Sequence, residues 1–246
     1  MRLWRILWQV KRICREVLAS RALQLYYIYS MEKPSTYKLY LKNREFILSF
    51  LAAVVLLIVS FIINFYAGLY ATKQASDPVT DIILNNIRVF DVDGIFVYGI
   101  LVFCAFLLTL CILKPKRAPF IFKSVALFIV IRAVFINLTH IAPFPSQLPL
   151  RSTLINKFSF GGDLFFSGHT GLPFLMALIF WREKFLRHIF LVVSVVFGAV
   201  VLLGHFHYSI DVFAAFFITY AINDLSVFLF AKDYHIFHKG VRGIEY

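Results

Sequence analysis

The sequence predicts an all-α, polytopic membrane protein with six transmembrane helices and cytosolic N- and C-termini. Three observations carry that prediction. Hydrophobic residues make up 61% of the 246 and charged residues only 15%, against roughly 25% in soluble domains. Six apolar segments approach the ~20 residues that a spanning helix needs. Lys and Arg also fall mainly on one side of the topology those segments define.

Residues 1–45 form a basic cytosolic segment with an amphipathic start. Leu3, Ile6, Leu7, Val10, Cys14, Val17 and Leu18 share one helical face, with Arg5, Arg12 and Arg15 opposite. That pattern fits a helix lying on the cytosolic lipid surface. The same charges interrupt the apolar core a cleaved signal peptide would require, so the first span is expected to direct insertion.

Residues 46–231 form the catalytic membrane domain, with spans expected at 46–71, 92–113, 119–142, 164–181, 188–206 and 208–231. The first carries no charge from Phe46 to Ala71. The third contains Arg132, and the sixth contains Asp211 and Asp224. Pro173 is expected to kink the fourth. Residues 232–246 form a cytosolic tail. Twenty of the 25 Lys and Arg lie on the predicted cytosolic side and four on the other, with Arg132 inside a span.

A net charge of +12 raises the possibility of nucleic-acid binding, but cations clustered between apolar segments follow the positive-inside rule instead. Cys14, Cys104 and Cys111 give no disulfide framework. Cys104 and Cys111 lie within one apolar run, where packing is the expected role.

Two segments carry titratable groups beside long apolar runs: Gly161-Gly162-Asp163-Leu164-Phe165-Phe166-Ser167-Gly168-His169-Thr170 and Gly204-His205-Phe206-His207-Tyr208-Ser209-Ile210-Asp211. Such groups are costly in a membrane and mark function. His207 and Asp211 are four residues apart, a spacing that puts them on one helical face. A carboxylate against an imidazole orients the ring and makes it basic or nucleophilic. On the predicted topology Asp81, Asp163, His205 and His207 belong to non-cytosolic loops. His169 lies one turn inside the fourth span, and Arg132 lies in the outer half of the third. The candidate groups therefore meet at one membrane face, although the charge count made no use of them.

This set suits cleavage of a lipid phosphodiester. That reaction needs a nucleophile, a proton donor for the departing alkoxide, and positive charge on the phosphoryl oxygens. His207 supplies the first, oriented by Asp211, and His169 the second. Arg132 offers a planar fork of donors. Ser167, Gly168 and His169 open a helix whose unpaired N–H groups suit an anion, and Gly168 permits close approach. Asp163 equally suits a helix cap, and His205 a packing or gating role. Asp224 lies roughly 140° round the helix and ~20 Å deeper than Asp211, where a structural or interhelical pair is expected. No HExxH or cysteine-pair spacing marks a metal site, so no cofactor is expected.

The two segments resemble the sphingomyelin synthase family, a branch of the type-2 phosphatidic-acid phosphatase superfamily. The family pattern C-G-D-x-x-x-S-G-H-T is met by Gly162-Asp163 and Ser167-Gly168-His169-Thr170. The pattern H-Y-[ST]-I-D-V is met by His207-Tyr208-Ser209-Ile210-Asp211-Val212. Pro78-Val79-Thr80-Asp81 resembles a degenerate form of the family's first motif. Arg132, Thr139 and Pro143 resemble its arginine-bearing motif. Gly161 stands where the family has cysteine.

The resemblance implies transfer of a phospho-head group, such as phosphocholine, from a glycerophospholipid donor to a ceramide-like lipid alcohol. His207 would take the head group. His169 would protonate the departing diacylglycerol and then deprotonate the acceptor. Arg132, Asp163, Ser167, Gly168 and Asp81 would hold the substrate. The alternative is a phosphatase or phosphodiesterase of the same superfamily, with water as acceptor. The phosphatase branch has Pro before Ser-Gly-His, where this chain has Phe166, and Ser-Arg upstream of its second histidine, which this chain lacks. The expected site faces the lumenal or exoplasmic side of a Golgi, plasma or bacterial inner membrane.

Overall fold

The structure is a computed structural model that describes Tyr37, residues 40–147 and residues 164–240. The amphipathic start of the chain, Gly161, Gly162 and Asp163 lie outside the described residues. The helices are α1 (Arg44–Lys73), α2 (Asp93–Leu113), α3 (Ala118–Leu138), α4 (Gly168–Ile179), α5 (Lys184–Leu203), α6 (Ser209–Leu229) and α7 (Ala231–Lys239), with a 3₁₀ turn, Pro115–Arg117, leading into α3.

Five of these, α1, α2, α3 with its preceding turn, α5 and α6, are long and apolar enough to cross a membrane. Their outward faces carry exposed Leu51, Val55 and Ile58 on α1, Leu101 and Val102 on α2, and Phe217 and Phe228 on α6. Such surfaces suit contact with lipid and would be aggregation-prone in water. The chain is thus an α-helical protein of the integral-membrane type.

The fourth expected span is different. It begins only at Gly168, because Phe165 and Phe166 hold left-handed φ values of 90° and 25°, which an α-helix cannot contain. It ends at Ile179, before Trp181, Arg182 and Glu183 turn the chain. Twelve residues reach ~18 Å at 1.5 Å each, short of the ~30 Å apolar core. The helix runs through Pro173 without interruption. This short element packs against both α5 and α6, with Leu175, Met176 and Ala177 fully buried. Gly171 makes the fit possible, since a Cβ there would stand 2.8 Å from the Phe128 ring of α3 and 2.9 Å from Thr219 Oγ1 of α6.

The most extensive helix contact is between α1 and α3. Small residues at a seven-residue repeat, Ala53, Ser60 and Ala67, form the buried stripe of α1, extended by Gly68 and Ala71. Small side chains let backbones approach closely, which is how helices associate without a hydrophobic driving force in lipid. Asn43 starts α1 by accepting from the Phe46 N–H at 2.9 Å. The expected third span shortens at its far end, because Thr139 is already extended (φ −131°, ψ 133°).

The described part of the tail also folds. α7 turns back onto the bundle, burying Phe237 against Phe120 and Phe180. Asp233 of α7 pairs with Lys123 of α3 at 2.5 Å, and Ser49 of α1 bonds to both.

Candidate active site

The ends of α1 and α3 and the starts of α2, α4 and α6 meet at one end of the bundle, and there the two motifs assemble. α6 begins at Ser209, so His207 lies in the turn before the helix. The expected pairing on a helical face is corrected accordingly. Asp211, at the third helical position, folds its carboxylate back over the turn. Its Oδ2 accepts from the Tyr208 N–H at 3.1 Å and lies 3.1 Å from His207 Nδ1. A side chain at this position naturally reaches back to the helix cap. The same Asp211 oxygen therefore ends the turn and holds the imidazole. Both side chains are buried. A carboxylate facing Nδ1 selects the tautomer with its proton there and leaves the Nε2 lone pair outward.

The other motif is joined to this one through the backbone. Ser167 donates its N–H to the Asp211 carbonyl at 3.0 Å. Its own side chain caps α4, accepting from the Thr170 N–H at 3.4 Å, and its carbonyl accepts from the Gly171 N–H at 2.9 Å. The Ser167 N–H is thus engaged by protein. Among the described residues, those of Gly168 and His169 are the donors left at the mouth of α4, where a helix leaves its first N–H groups without intrahelical partners. Ser194 of α5 donates to the Thr170 carbonyl at 2.7 Å and fixes this turn from behind.

His169 stacks on Phe96 of α2, with ring centroids 4.0 Å apart, and meets Phe197 edge-on at 5.9 Å. Its Nε2 lies 3.2 Å from the Phe96 carbonyl. A carbonyl can only accept, so Nε2 carries the proton and Nδ1 is the nitrogen available for exchange. His207 and Arg132 both lie within electrostatic reach of this ring.

Arg132 is nearly buried. Its Nε donates to the Phe166 carbonyl at 3.1 Å, and Nη1 reaches Asn64 Oδ1 at 3.4 Å. The Phe166 carbonyl is aimed by the strained pair Phe165 and Phe166. Such strain costs of order 1–3 kcal/mol and concentrates at functional sites. A Cβ on Gly168 would lie 3.4 Å from Arg132 Nε, so the missing side chain lets the guanidinium cover the mouth of α4.

Asp81 engages both oxygens with backbone. Oδ1 accepts from the N–H groups of Ile83 (2.8 Å) and Leu84 (3.0 Å), and Oδ2 from that of Ser209 (2.7 Å). Burial opposes ionisation of this carboxyl, but the bonds from Leu84, Ser209 and Ile83 prevail and hold its pKa below the usual value. Its geometry is that of a latch on the first residue of α6. His205 adopts a left-handed φ of 54°. Its Nδ1 lies 2.6 Å from Ser146 Oγ, and Phe144 meets its ring edge-on. Burial lowers the His205 pKa, and the Asp81 charge opposes that shift. Asp224 is exposed and accepts from its neighbour Asn223 at 3.4 Å; the expected interhelical pair is not what it makes.

Two residues escaped the sequence reading. Asn64 is a lone amide in an otherwise apolar stretch of α1, and that isolation was its signal. Tyr208 is buried. Its hydroxyl donates to the Ala142 carbonyl at 2.9 Å and accepts from the Val79 N–H at 3.2 Å, so it fastens two loops to the His207 turn. Among the described residues, no three His, Cys, Asp or Glu side chains cluster as a metal site would.

Residues 161–227 match the family model described as PAP2 superfamily C-terminal. The matched stretch contains both motifs and the helices that carry them, and it supports the type-2 phosphatidic-acid phosphatase superfamily. Members of that superfamily are phosphatases and phosphotransferases, so a lipid-directed enzyme is what the match makes plausible. Among curated proteins and among solved structures, nothing matches the chain.

Proposed function

We propose that this protein is a lipid head-group phosphotransferase similar to sphingomyelin synthases. In this reading it moves a phospho-head group such as phosphocholine from a glycerophospholipid to ceramide or a similar lipid alcohol. The observation that carries the reading is the buried His207–Asp211 pair, joined to the Ser167–His169 turn beneath Arg132.

His207 Nε2 attacks phosphorus while its Nδ1–H stays on Asp211, whose charge stabilises the cation that forms. A P–N bond forms as the P–O bond to diacylglycerol breaks, and His169, entering this step as the imidazolium, keeps its Nε2–H on the Phe96 carbonyl and delivers its Nδ1 proton to the departing oxygen. His169, now neutral, removes the proton from the acceptor's hydroxyl. That oxygen attacks phosphorus, the P–N bond breaks, and the new phosphodiester leaves. Throughout, Arg132 and the N–H groups of Gly168 and His169 face the phosphoryl oxygens. Asp163 stands beside this mouth in sequence and is proposed to contact the head group. Ser167 and Asp81 act on substrate only through the turns they hold. The site faces the non-cytosolic side.

The test is a transfer assay with the purified chain, phosphatidylcholine and fluorescent ceramide, run beside His207→Ala. A fluorescent phospholipid that disappears in the variant is the expected result. Diacylglycerol or phosphatidate release without labelled phospholipid would replace transfer with the hydrolytic reading. No turnover of any donor tested would overturn both.

A further inference from the structure

One ring of α2 touches both of the segments that carry histidines. Phe96 is the fourth residue of α2 and is half-buried. It stacks on His169 with ring centroids 4.0 Å apart and planes 22° from parallel. It also packs on Phe206, the residue before His207, at 4.4 Å and 33°. Its backbone carbonyl is the acceptor for His169 Nε2 at 3.2 Å. A single residue therefore meets His169 twice, once through the backbone and once through the side chain.

The start of α2 is in turn fastened to the segment that leads into His207. The Phe90 N–H donates to the Leu203 carbonyl at 2.8 Å. A Cβ on Gly204 would stand 2.3 Å from the Phe206 ring and 2.9 Å from Val92 Cγ2, so its absence lets both side chains close over that turn. Val92 and Phe96 pack against the buried cluster of Val201, Phe206 and Val212. One turn further along α2, a Cβ on Gly99 would stand 2.9 Å from the Phe197 ring, which meets His169 edge-on. Phe96 thus belongs to a rigid seat rather than to a loose helix end.

A hydrogen bond at Nε2 fixes one atom of the imidazole and leaves the ring free to swing about that bond. A flat surface against the ring fixes its plane. Together the two contacts determine where Nδ1 points, and neither does so alone. Proton transfer to a leaving oxygen needs the donor within hydrogen-bond reach and correctly aimed. Stacked aromatic contacts supply such orientation beyond the area they bury. We propose that Phe96 is a positioning residue that, by stacking on His169, aims Nδ1 at the oxygen of the departing lipid alcohol. This inference rests on the acid role given above to His169. It ties the stack to the class of substrate, a lipid phosphodiester whose leaving alkoxide is too basic to depart without a proton.

Release of the first product in a single turnover tests it, with the full chain in detergent, in excess over donor, and no acceptor lipid. Two donors are compared. Phosphatidylcholine loses diacylglycerol, a strongly basic alkoxide, and p-nitrophenyl phosphocholine loses a phenolate that needs no proton. Phe96→Leu keeps the carbonyl and an apolar side chain but removes the flat face. It should slow diacylglycerol release at least about tenfold, part of the roughly 10²–10⁴ that a positioned acid supplies, and change p-nitrophenol release less than about twofold. Phe96→Tyr, which keeps the ring, should restore most of the diacylglycerol release. Phe106→Leu removes a ring of α2 that packs on Phe190 instead and should leave both rates unchanged. If Phe96→Leu does not fold, Phe96→Met carries the same expectation. Equal slowing of both donors in a folded Phe96 variant, or slowing of neither, would overturn the proposal and leave the His207 chemistry in place. His169→Ala should show a larger split of the same kind, and His207→Ala should stop both donors. A His207→Ala chain that cleaves both donors as the wild type does would overturn the function proposed above, and this inference with it.

Discussion

The Ser167 N–H donates to the Asp211 carbonyl at 3.0 Å, so the turn carrying one histidine is bonded to the first turn of the helix whose carboxylate holds the other. His169 and His207 thus share one backbone frame, although their residues are 38 positions apart in sequence. Reactive groups held on rigid, mutually bonded turns keep the geometry that proximity effects require.

Asp211→Asn tests the chemical half of this arrangement. The amide preserves shape and can still accept from the Tyr208 N–H through its oxygen. It presents no charge to His207 and can leave the ring in the wrong tautomer. Lipid turnover is expected to fall by roughly 10²–10⁴-fold, with the melting temperature in detergent changing little. Near-normal turnover in this variant would remove the pair from the mechanism.

Asn64 is expected to position Arg132. Replacing it with Leu removes the acceptor at 3.4 Å while keeping an apolar helix face. The expected outcome is a loss of about 5–20-fold in kcat/KM, which corresponds to about 1–2 kcal/mol for a hydrogen bond to a charged group. The loss should fall mainly on kcat if the contact aligns the guanidinium in the transition state. A purely structural role for Asn64 predicts lower thermal stability with unchanged kcat in the surviving protein. Gln, which retains the acceptor, should recover part of the activity.

Much of this was legible in the sequence. Long apolar stretches bounded by charge marked α1, α2, α3, α5 and α6 to within a few residues, because length and hydrophobicity alone decide what can span a bilayer. α4 was not legible at its true length. The left-handed backbone at Phe165 and Phe166 is imposed by tertiary contacts, and Phe carries no local signal for it. The residues of the His207–Asp211 pair were evident, but their geometry was not, since a four-residue spacing serves a capping turn as well as a helix face. Asn64 and Tyr208 depend on Arg132 and Ala142, 68 and 66 positions away, and no pattern in a single sequence connects them.

Gly171→Ala opposes two effects of known size. In an isolated helix, Ala is favoured over Gly by about 1 kcal/mol. Here the new Cβ would stand 2.8 Å from the Phe128 ring and 2.9 Å from Thr219 Oγ1, and overpacking typically costs about 1–3 kcal/mol. The Phe128 ring is itself packed against Phe166, so it has little room to yield. Overlap should win, giving a melting temperature several degrees lower by fluorescence-detected size exclusion. An unchanged or higher value would mean that α3 and α6 can separate from α4 at no cost.

Acid should loosen the loops around His207 in two separable stages. The His205 pKa is lowered from 6.5 by burial, so the unfolded chain takes up this proton first. The neutral ring therefore favours folding above 6.5, and that contribution declines as pH falls below 6.5 toward the folded value. The Asp81 pKa is lowered from 3.8. Its contribution is fully present above 3.8 and is lost as pH falls further, through its folded value. Melting temperatures measured from pH 7.5 down to 5 should fall less steeply in His205→Asn than in the wild type, because the variant has no ring to protonate. Asp81→Asn should be less stable than the wild type throughout that range, by about 1–2 kcal/mol as for a lost helix cap, and its pH slope should be no shallower than the wild type's, because the charge that opposes the lowering of the His205 pKa is gone. If instead the His205→Asn profile runs parallel to that of the wild type, the ring is not a source of acid sensitivity. Its contact with Ser146 would then hold in either protonation state.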